Sequence, residues 1–378
     1  MTALRGEALV VPDGSQRLRV KHEHQPIRVK GNRIRIGGGV FRLAGELKDP
    51  TGSVWTLLSA MDGTRSNDEL VAHVLAVHPD ERAEAVRAAV QVFARSGHCE
   101  DVSRPDPATL SEREKERYDR GMLFYNWVDM TASVGRWEPQ ARLQAARATV
   151  VGIGGTGGNA ALALVTSGVG QVHCVDRDVI ELSNLNRQVL FTEADIGRPK
   201  VETAVERLQQ HNSDVKVTGA ATTITGRDDL HELAQDCDVL LLCADQPGEI
   251  RAWANRACLA TGTPWVDAGY HGPVASAALY VPGQGACYEC MWMTEYDKHA
   301  AAGTEAAYNV VRGGSKAVTA PTAGLSGYLA AHFAISLLTG VMPVRPGLTK
   351  GINLIAPEHH FVIETERRED CPACSNRR

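Results

Sequence analysis

One ten-residue segment, Thr149-Val150-Val151-Gly152-Ile153-Gly154-Gly155-Thr156-Gly157-Gly158, constrains this chain more than any other. A β-branched apolar run that ends in closely spaced glycines and continues into an Ala- and Leu-rich stretch reads as strand, tight turn and helix. The next apolar run, Val172-His173-Cys174-Val175, supplies a second strand, and Asp176 closes it. Strand, helix and parallel strand in this order form a crossover unit, so the expected fold class is α/β with a Rossmann-like doubly wound sheet. Gly152, Gly154, Gly155 and Gly157 leave room for a ligand's phosphates to approach backbone N–H groups at the helix start. Asp176 stands where a carboxylate holds ribose hydroxyls. Taken this far, a nicotinamide dehydrogenase has the same signature.

The residues that follow point elsewhere. Asp176-Arg-Asp178-Val-Ile-Glu-Leu-Ser183-Asn184-Leu-Asn186-Arg187-Gln188 is dense in polar groups, and a guanidinium there forks onto phosphate oxygens. Asp195-Ile-Gly197-Arg198-Pro199-Lys200 brings a second cation to the start of a helix, whose dipole also favours an anion. The apolar strand from Asp238 to Cys243 runs into Ala244-Asp245-Gln246, placing Asp245 at a carboxyl strand end, where open α/β sheets bind ligands. One carboxylate near several phosphate-directed cations suggests Mg²⁺. A dehydrogenase has no use for this cation cluster.

In this order these residues closely resemble the ThiF/MoeB family of adenylating enzymes, from about Leu110 to the C-terminus. The resemblance implies that Asp176 holds the ribose of ATP and that Asn184, Arg187 and Lys200 contact its phosphates. It implies that Asp245 helps hold Mg²⁺ and that Asp178 and Gln188 support the pocket. Upstream, Arg117-Tyr118-Asp119-Arg120 is similar to the family's RYxRQ motif, with Gly121 in place of the usual Gln. In relatives that arginine reaches the neighbouring subunit's site, so Arg120 is expected to act in trans in a homodimer.

Nine cysteines are present; five are scattered and four form Cys287-Tyr-Glu-Cys290 and Cys371-Pro-Ala-Cys374. Each pair has the two-residue spacing that lets both sulfurs face one ion, and four thiolates close a tetrahedral Zn²⁺ shell with no open position. The site is therefore expected to be structural, stapling the C-terminal tail, and ThiF/MoeB relatives carry zinc in the same places. This cysteine usage suits a reducing cytoplasm. The start, Met1 to Glu7, has no apolar signal core, and the best apolar run, Leu329 to Leu338, is too short to span a bilayer. Neither export nor a membrane partner is expected.

Ser103-Arg-Pro-Asp-Pro107 marks a boundary, dividing an N-terminal domain (1–105) from the adenylation domain (106–378). Ahead of it, Ile34 and Ile36 alternate in Arg33–Gly37, and Val40-Phe41-Arg42-Leu43 follows a glycine run, which suggests a hairpin. Three helices follow, over Gly52–Met61, after a Ser66/Glu69 capping box, and from Pro79 to Gly97. That is a small winged-helix-like α+β module. Ser66 to Asp101 carries seven acidic residues against three arginines, the reverse of what a DNA groove requires, and the whole chain is at −5, so no nucleic-acid partner is expected. The Trp55-x-x-Leu58-x-x-Met61-Asp62-Gly63 pattern resembles PqqD-type recognition modules, which hold the leader peptides of ribosomally made natural products.

Joined, the halves resemble the peptide adenylases that modify microcin C and pantocin precursors. The resulting expectation is ATP-dependent adenylation of a carboxylate on a precursor peptide bound through its leader. The alternatives are a sulfur-carrier-protein adenylyltransferase and a non-catalytic leader-presenting partner of a cyclodehydratase. No cysteine lies between Met291 and Leu338, where relatives form a covalent species, and Cys258 sits in an apolar helix where it packs rather than reacts. Thr294 to Lys316, with Tyr296, Lys298, His299 and Arg312, is expected as a loop over the substrate.

Overall fold

The computed structural model describes residues 16–131, 135–304, 317–356 and 358–375; the Met1–Glu7 start and Arg312 lie outside them. The chain divides into two compact units, Met1–Ala141 and Arg142–Arg378.

In the first unit, β1 (Leu18–Val20) is followed by an antiparallel sheet of β2 (Ile27–Val29), β3 (Arg33–Ile36) and β4 (Gly45–Lys48). Three helices come next: α1 (Ser53–Ala60), α2 (Asn67–Val77) and α3 (Ala83–Arg95). β5 (Cys99–Asp101) then returns to pair antiparallel with β1. Ile34, Ile36, Leu57, Leu58, Leu70 and Val90 meet in one apolar core. The Ser66/Glu69 capping box forms at the start of α2, with Ser66 Oγ accepting from Glu69 N at 3.3 Å and Glu69 returning to Ser66 N at 2.8 Å. Two expectations shift. Val40–Leu43 is a turn rather than the return strand, because Gly37 brings the chain so close to Leu43 that a Cβ there would lie 2.1 Å from its carbonyl oxygen. The ladder resumes only where Gly45 faces Ile36. The third helix starts at Ala83, after an Arg82 cap, and not at Pro79.

The helix α4 (Glu112–Val128), which carries Arg120, also belongs to this unit. Two buried groups fasten its end. Lys21 Nζ donates to the Asp129 carbonyl at 2.7 Å, and His24 Nε2 meets the Trp127 carbonyl at 2.8 Å. A further helix, α5 (Glu138–Ala145), runs across the division between the units.

The second unit is built on one eight-stranded sheet. β6 (Arg147–Val151), β7 (Gln171–Val175), β8 (Lys216–Ala220), β9 (Val239–Leu242) and β10 (Trp265–His271) run parallel in the order β8-β7-β6-β9-β10. β11 (Val274–Tyr280), β12 (Leu348–Asn353) and β13 (His360–Glu364) extend it antiparallel beyond β10. All four residues of β9 are fully buried, as expected of a parallel strand covered on both faces. The strand order reverses between β6 and β9, and that reversal is where a doubly wound sheet opens a crevice. The helices are α6 (Gly155–Thr166), α7 (Lys200–His211), α8 (Arg227–Gln235), α9 (Ile250–Thr261), α10 (Tyr288–Ala301) and α11 (Ala320–Thr339). Small residues let α11 lie hard against α6, where Thr156 Oγ1 and Ser326 Oγ bond at 2.7 Å. The Leu329–Leu338 run is part of α11, and no helix among the described residues is long and apolar enough to cross a membrane. The loop expected over 294–316 is helical as far as Ala301, and residues 305–316 lie outside the described residues.

Candidate active site

The site forms where β6 and β9 end side by side. Gly152 leaves β6 at φ 89°, and a Cβ there would lie 2.8 Å from the Ala244 nitrogen just past β9. Gly157 sits in the first turn of α6, where a Cβ would collide with the Gly152 carbonyl oxygen at 1.7 Å. Only glycine permits the strand, the turn and the helix start to approach this closely. The first turn of α6 thus begins at the carboxyl end of β6 with glycines that add no side chains of their own, the arrangement in which a helix N-terminus receives an anion.

Asp176 follows β7 and is held from two sides, accepting from Ile153 N at 2.7 Å and from Asp178 N at 2.8 Å. Burial pushes its carboxyl above the ordinary aspartate range, and the two N–H donors and the Lys200 ammonium oppose that shift. Lys200 opens α7 and is buried; its Nζ lies 3.0 Å from Asp178 Oδ2, while its backbone N–H donates to the Asp178 carbonyl at 2.9 Å. The lysine is thus pinned at both ends to the segment that follows Asp176.

Asn184 and Gln188 are buried on the intervening turn. Asn184 is spent on the turn itself, its Oδ1 accepting from Glu181 N at 3.1 Å. Arg187 lies along the glycine turn, with its Cγ 3.3 Å from where a Gly155 Cβ would be. One of its terminal nitrogens donates to Ser183 O and to Asn186 Oδ1, both at 2.9 Å. Arg187 Nε and Gln188 Oε1 are buried with no hydrogen-bond partner among the described residues. An open donor and an open acceptor beside a glycine turn cost stability unless a ligand completes them.

Asp245 is exposed beyond the end of β9. Sequence motifs left out the pair behind it. Arg251, in the first turn of α9, donates through Nε to Asp267 Oδ1 at 2.9 Å, and Asp267 faces Leu242 across the sheet. The Asp267 carboxylate first, and Asp245 more weakly, hold the Arg251 guanidinium above its ordinary range. Asp267 lies inside β10, level with Leu242 at the end of β9, so its nearness to the strand ends follows from the sheet register and not from a sequence motif. Among the sequence-predicted groups, the four glycines, Asp176, Asp178, Arg187, Gln188 and Lys200 come together. Arg120 belongs to α4 of the first unit; its side chain is 91% exposed, with Asp119 Oδ2 at 3.9 Å.

The four paired cysteines converge as well. All four sulfurs lie within 4.8 Å of one another, with Cys287–Cys290 at 3.8 Å, Cys287–Cys371 at 3.6 Å and Cys290–Cys374 at 3.4 Å. A tetrahedron with zinc–sulfur bonds of about 2.3 Å has edges of about 3.8 Å, so four thiolates in this arrangement fit zinc. Outer donors are in place too, with Arg368 N 3.4 Å from the Cys290 sulfur and Asn255 Nδ2 3.5 Å from that of Cys287. The Cys287 thiol and the Arg368 N–H both favour thiolate at Cys290. Cys258 is fully buried and burial pushes its thiol up, in keeping with packing rather than reactivity.

The ThiF family matches residues 118–373 of this chain. Sulfur carrier protein ThiS adenylyltransferase of Escherichia coli (strain K12) is 34% identical over 235 residues, covering 61% of this chain and 84% of that protein. Protein HesA of Leptolyngbya boryana is 31% identical over 270 residues, covering 71% and 88%. Among solved structures, E. coli MccB superposes with a TM-score of 0.77 at 22% identity, covering 95% of this chain and 97% of that one. MccB has also been solved with ATP and in complex with N-formylated MccA.

Proposed function

This chain belongs to the ThiF family and is an adenylyltransferase of that type, and from that premise we propose that it adenylates a carboxylate on a ribosomally made precursor peptide in natural-product biosynthesis. The reading is supported by the extent of the fold likeness to MccB. That likeness spans 95% of this chain, whereas the ThiS adenylyltransferase match spans 61%. A relative confined to the sheet domain leaves the N-terminal unit without a use, and a leader-binding module gives it one. An extended peptide would add as a strand beside the small β2-β3-β4 sheet.

In the proposed reaction a peptide carboxylate oxygen attacks the α-phosphorus of ATP. A phosphorus–oxygen bond to the carboxylate forms, the bond between the α- and β-phosphates breaks, and pyrophosphate leaves with the electron pair. A carboxylate is already ionised at neutral pH, so the chain's task is alignment and charge neutralisation rather than proton transfer. The glycine turn and the start of α6 would receive the phosphates. Asp176 would accept the ribose hydroxyls, and Asn184 and Gln188 would border the nucleotide. Arg187, with its open Nε, and Lys200 would meet the phosphate charge. Lys200 stays within reach of Asp178, whose carboxylate oxygen lies 3.0 Å from its Nζ and restrains the position of the ammonium. Asp245, exposed at the strand end, is the carboxylate that would hold Mg²⁺ together with phosphate oxygens. Arg120 would complete the site of a partner subunit. The cysteine cluster would hold a structural Zn²⁺.

A sulfur-carrier adenylyltransferase is the second reading, favoured by the 34% identity to the ThiS enzyme. Pyrophosphate exchange into ATP separates the two. Exchange that depends on a peptide encoded beside the gene supports the proposal. Exchange that responds only to a carrier protein ending in Gly-Gly overturns it.

A further inference from the structure

Asp195 touches none of the groups just assigned to the nucleotide, yet it is a carboxylate only 2% exposed. It accepts from Thr192 N at 2.9 Å and Thr192 Oγ1 at 2.8 Å, and from Arg198 at 3.1 Å. A terminal nitrogen of Arg207 bridges both its oxygens, at 3.2 and 3.0 Å. Arg198 in turn reaches both carboxylate oxygens of Glu206 at 2.8 Å. One buried carboxylate therefore clamps the turn over residues 192–198 to the middle of α7. The backbone carries the clamp to the site. Ile180 N donates to Arg198 O, Gly197 N to Ile180 O and Lys200 N to Asp178 O, each at 2.9 Å. These three bonds set the register between the segment after Asp176 and the residue that opens α7.

Burying a charge is expensive, and an apolar side chain would fill the same space at lower cost if filling space were the need. A charged clamp does what an apolar plug does not: it fixes the direction of two arginines and hence the path of the main chain between them. We propose that Asp195 is a positioning residue for Lys200, holding the 197–200 segment in the register that presents the ammonium to the phosphates. The inference rests on the proposed phosphate role of Lys200. Asp195 itself touches no reacting atom.

Binding of ATP with Mg²⁺, and of adenosine, is measured by titration calorimetry on the full chain. The variants are Asp195→Asn, Lys200→Ala and the double substitution. Lys200→Ala is expected to weaken ATP about tenfold or more, the worth of one charge-assisted contact, and to leave adenosine unchanged. Asp195→Asn is expected to weaken ATP by about threefold to tenfold, again without effect on adenosine, and the double variant to be no weaker than Lys200→Ala alone. Equal losses for ATP and adenosine in Asp195→Asn, or losses that multiply in the double variant, would overturn the positioning role while leaving that of Lys200 intact. Unchanged ATP affinity in Lys200→Ala would overturn the lysine's phosphate role and the positioning inference with it. Should Asp195→Asn fail to fold, Arg207→Gln removes the helix side of the clamp from a partly exposed position and is read by the same criteria.

Discussion

Lys200 Nζ and Asp178 Oδ2 lie 3.0 Å apart, and the two partners differ sharply in exposure: the lysine side chain is 8% accessible and the aspartate 55%. The ammonium is thus sunk in the protein at the mouth of α7 while its counter-charge faces outward. If Lys200 meets the ATP phosphates as proposed, they would find a cation already oriented, leaving little reorganisation at the moment of reaction.

On that basis, Lys200→Ala and Arg187→Ala should each lower pyrophosphate exchange by about a hundredfold or more, typical of removing one preorganised electrostatic contact. Peptide affinity, measured by fluorescence anisotropy, should change by less than about twofold, because the N-terminal unit does not contain either residue. Normal exchange in both variants would place the nucleotide elsewhere.

Zinc should be found at one ion per chain by mass spectrometry of metals in the purified protein. Cys290→Ala and Cys374→Ala should each lose it and melt lower by about 10 °C, since metal binding contributes directly to folding. A strong chelator should reproduce the shift in the unmodified protein. Full metal content with unchanged melting in both variants would exclude a four-thiolate site.

Acid should weaken the first unit through His24. This ring is fully buried, with Nε2 on the Trp127 carbonyl and Nδ1 without a partner among the described residues. Burial first, then the neighbouring His98 and Lys21, hold its pKa below the usual value, against the Trp127 carbonyl and Glu23. A depressed folded pKa means that the unfolded chain binds the proton more readily. Stability from this group is therefore complete above about pH 6.5 and is lost as the pH falls from there towards the lower folded value. Urea unfolding at pH 7.5 and 5.5 should show a smaller acid loss in His24→Gln, which retains a donor for the carbonyl. An identical loss in both proteins would assign the acid sensitivity to other groups.

Arg120 carries the most exposed prediction. Its side chain is 91% accessible, with the Asp119 carboxylate at 3.9 Å. If it completes a partner's site, mixing Arg120→Ala subunits with Lys200→Ala subunits should restore exchange, because half of the sites in each mixed dimer recover both wild-type groups. Subunit exchange must be demonstrated first, by co-purification of differently tagged chains. With exchange shown, absence of rescue would reject action in trans and leave the assignment of Lys200 untouched.

Much of this molecule is written in short stretches of sequence. The glycine turn is legible because a positive φ at Gly152 and a backbone contact at Gly157 are demands that only one residue type meets. The Ser66/Glu69 box is legible because both partners lie within one helical turn. Paired thiols are legible because two-residue spacing is itself half of a metal shell. What the sequence does not carry is who meets whom across the sheet and between helices. The pairing of Arg251 with Asp267, the clamp of Asp195 on Arg198 and Arg207, and the open Nε of Arg187 all depend on side chains brought together by packing. The same is true of β4, which starts at Gly45 and not at Val40 because the chain must first turn tightly at Gly37 against Leu43. Propensity and periodicity act over a few residues and so determine the elements. Burial energy and charge compensation act between residues distant in the chain, and they are settled only when the sheet closes around its core.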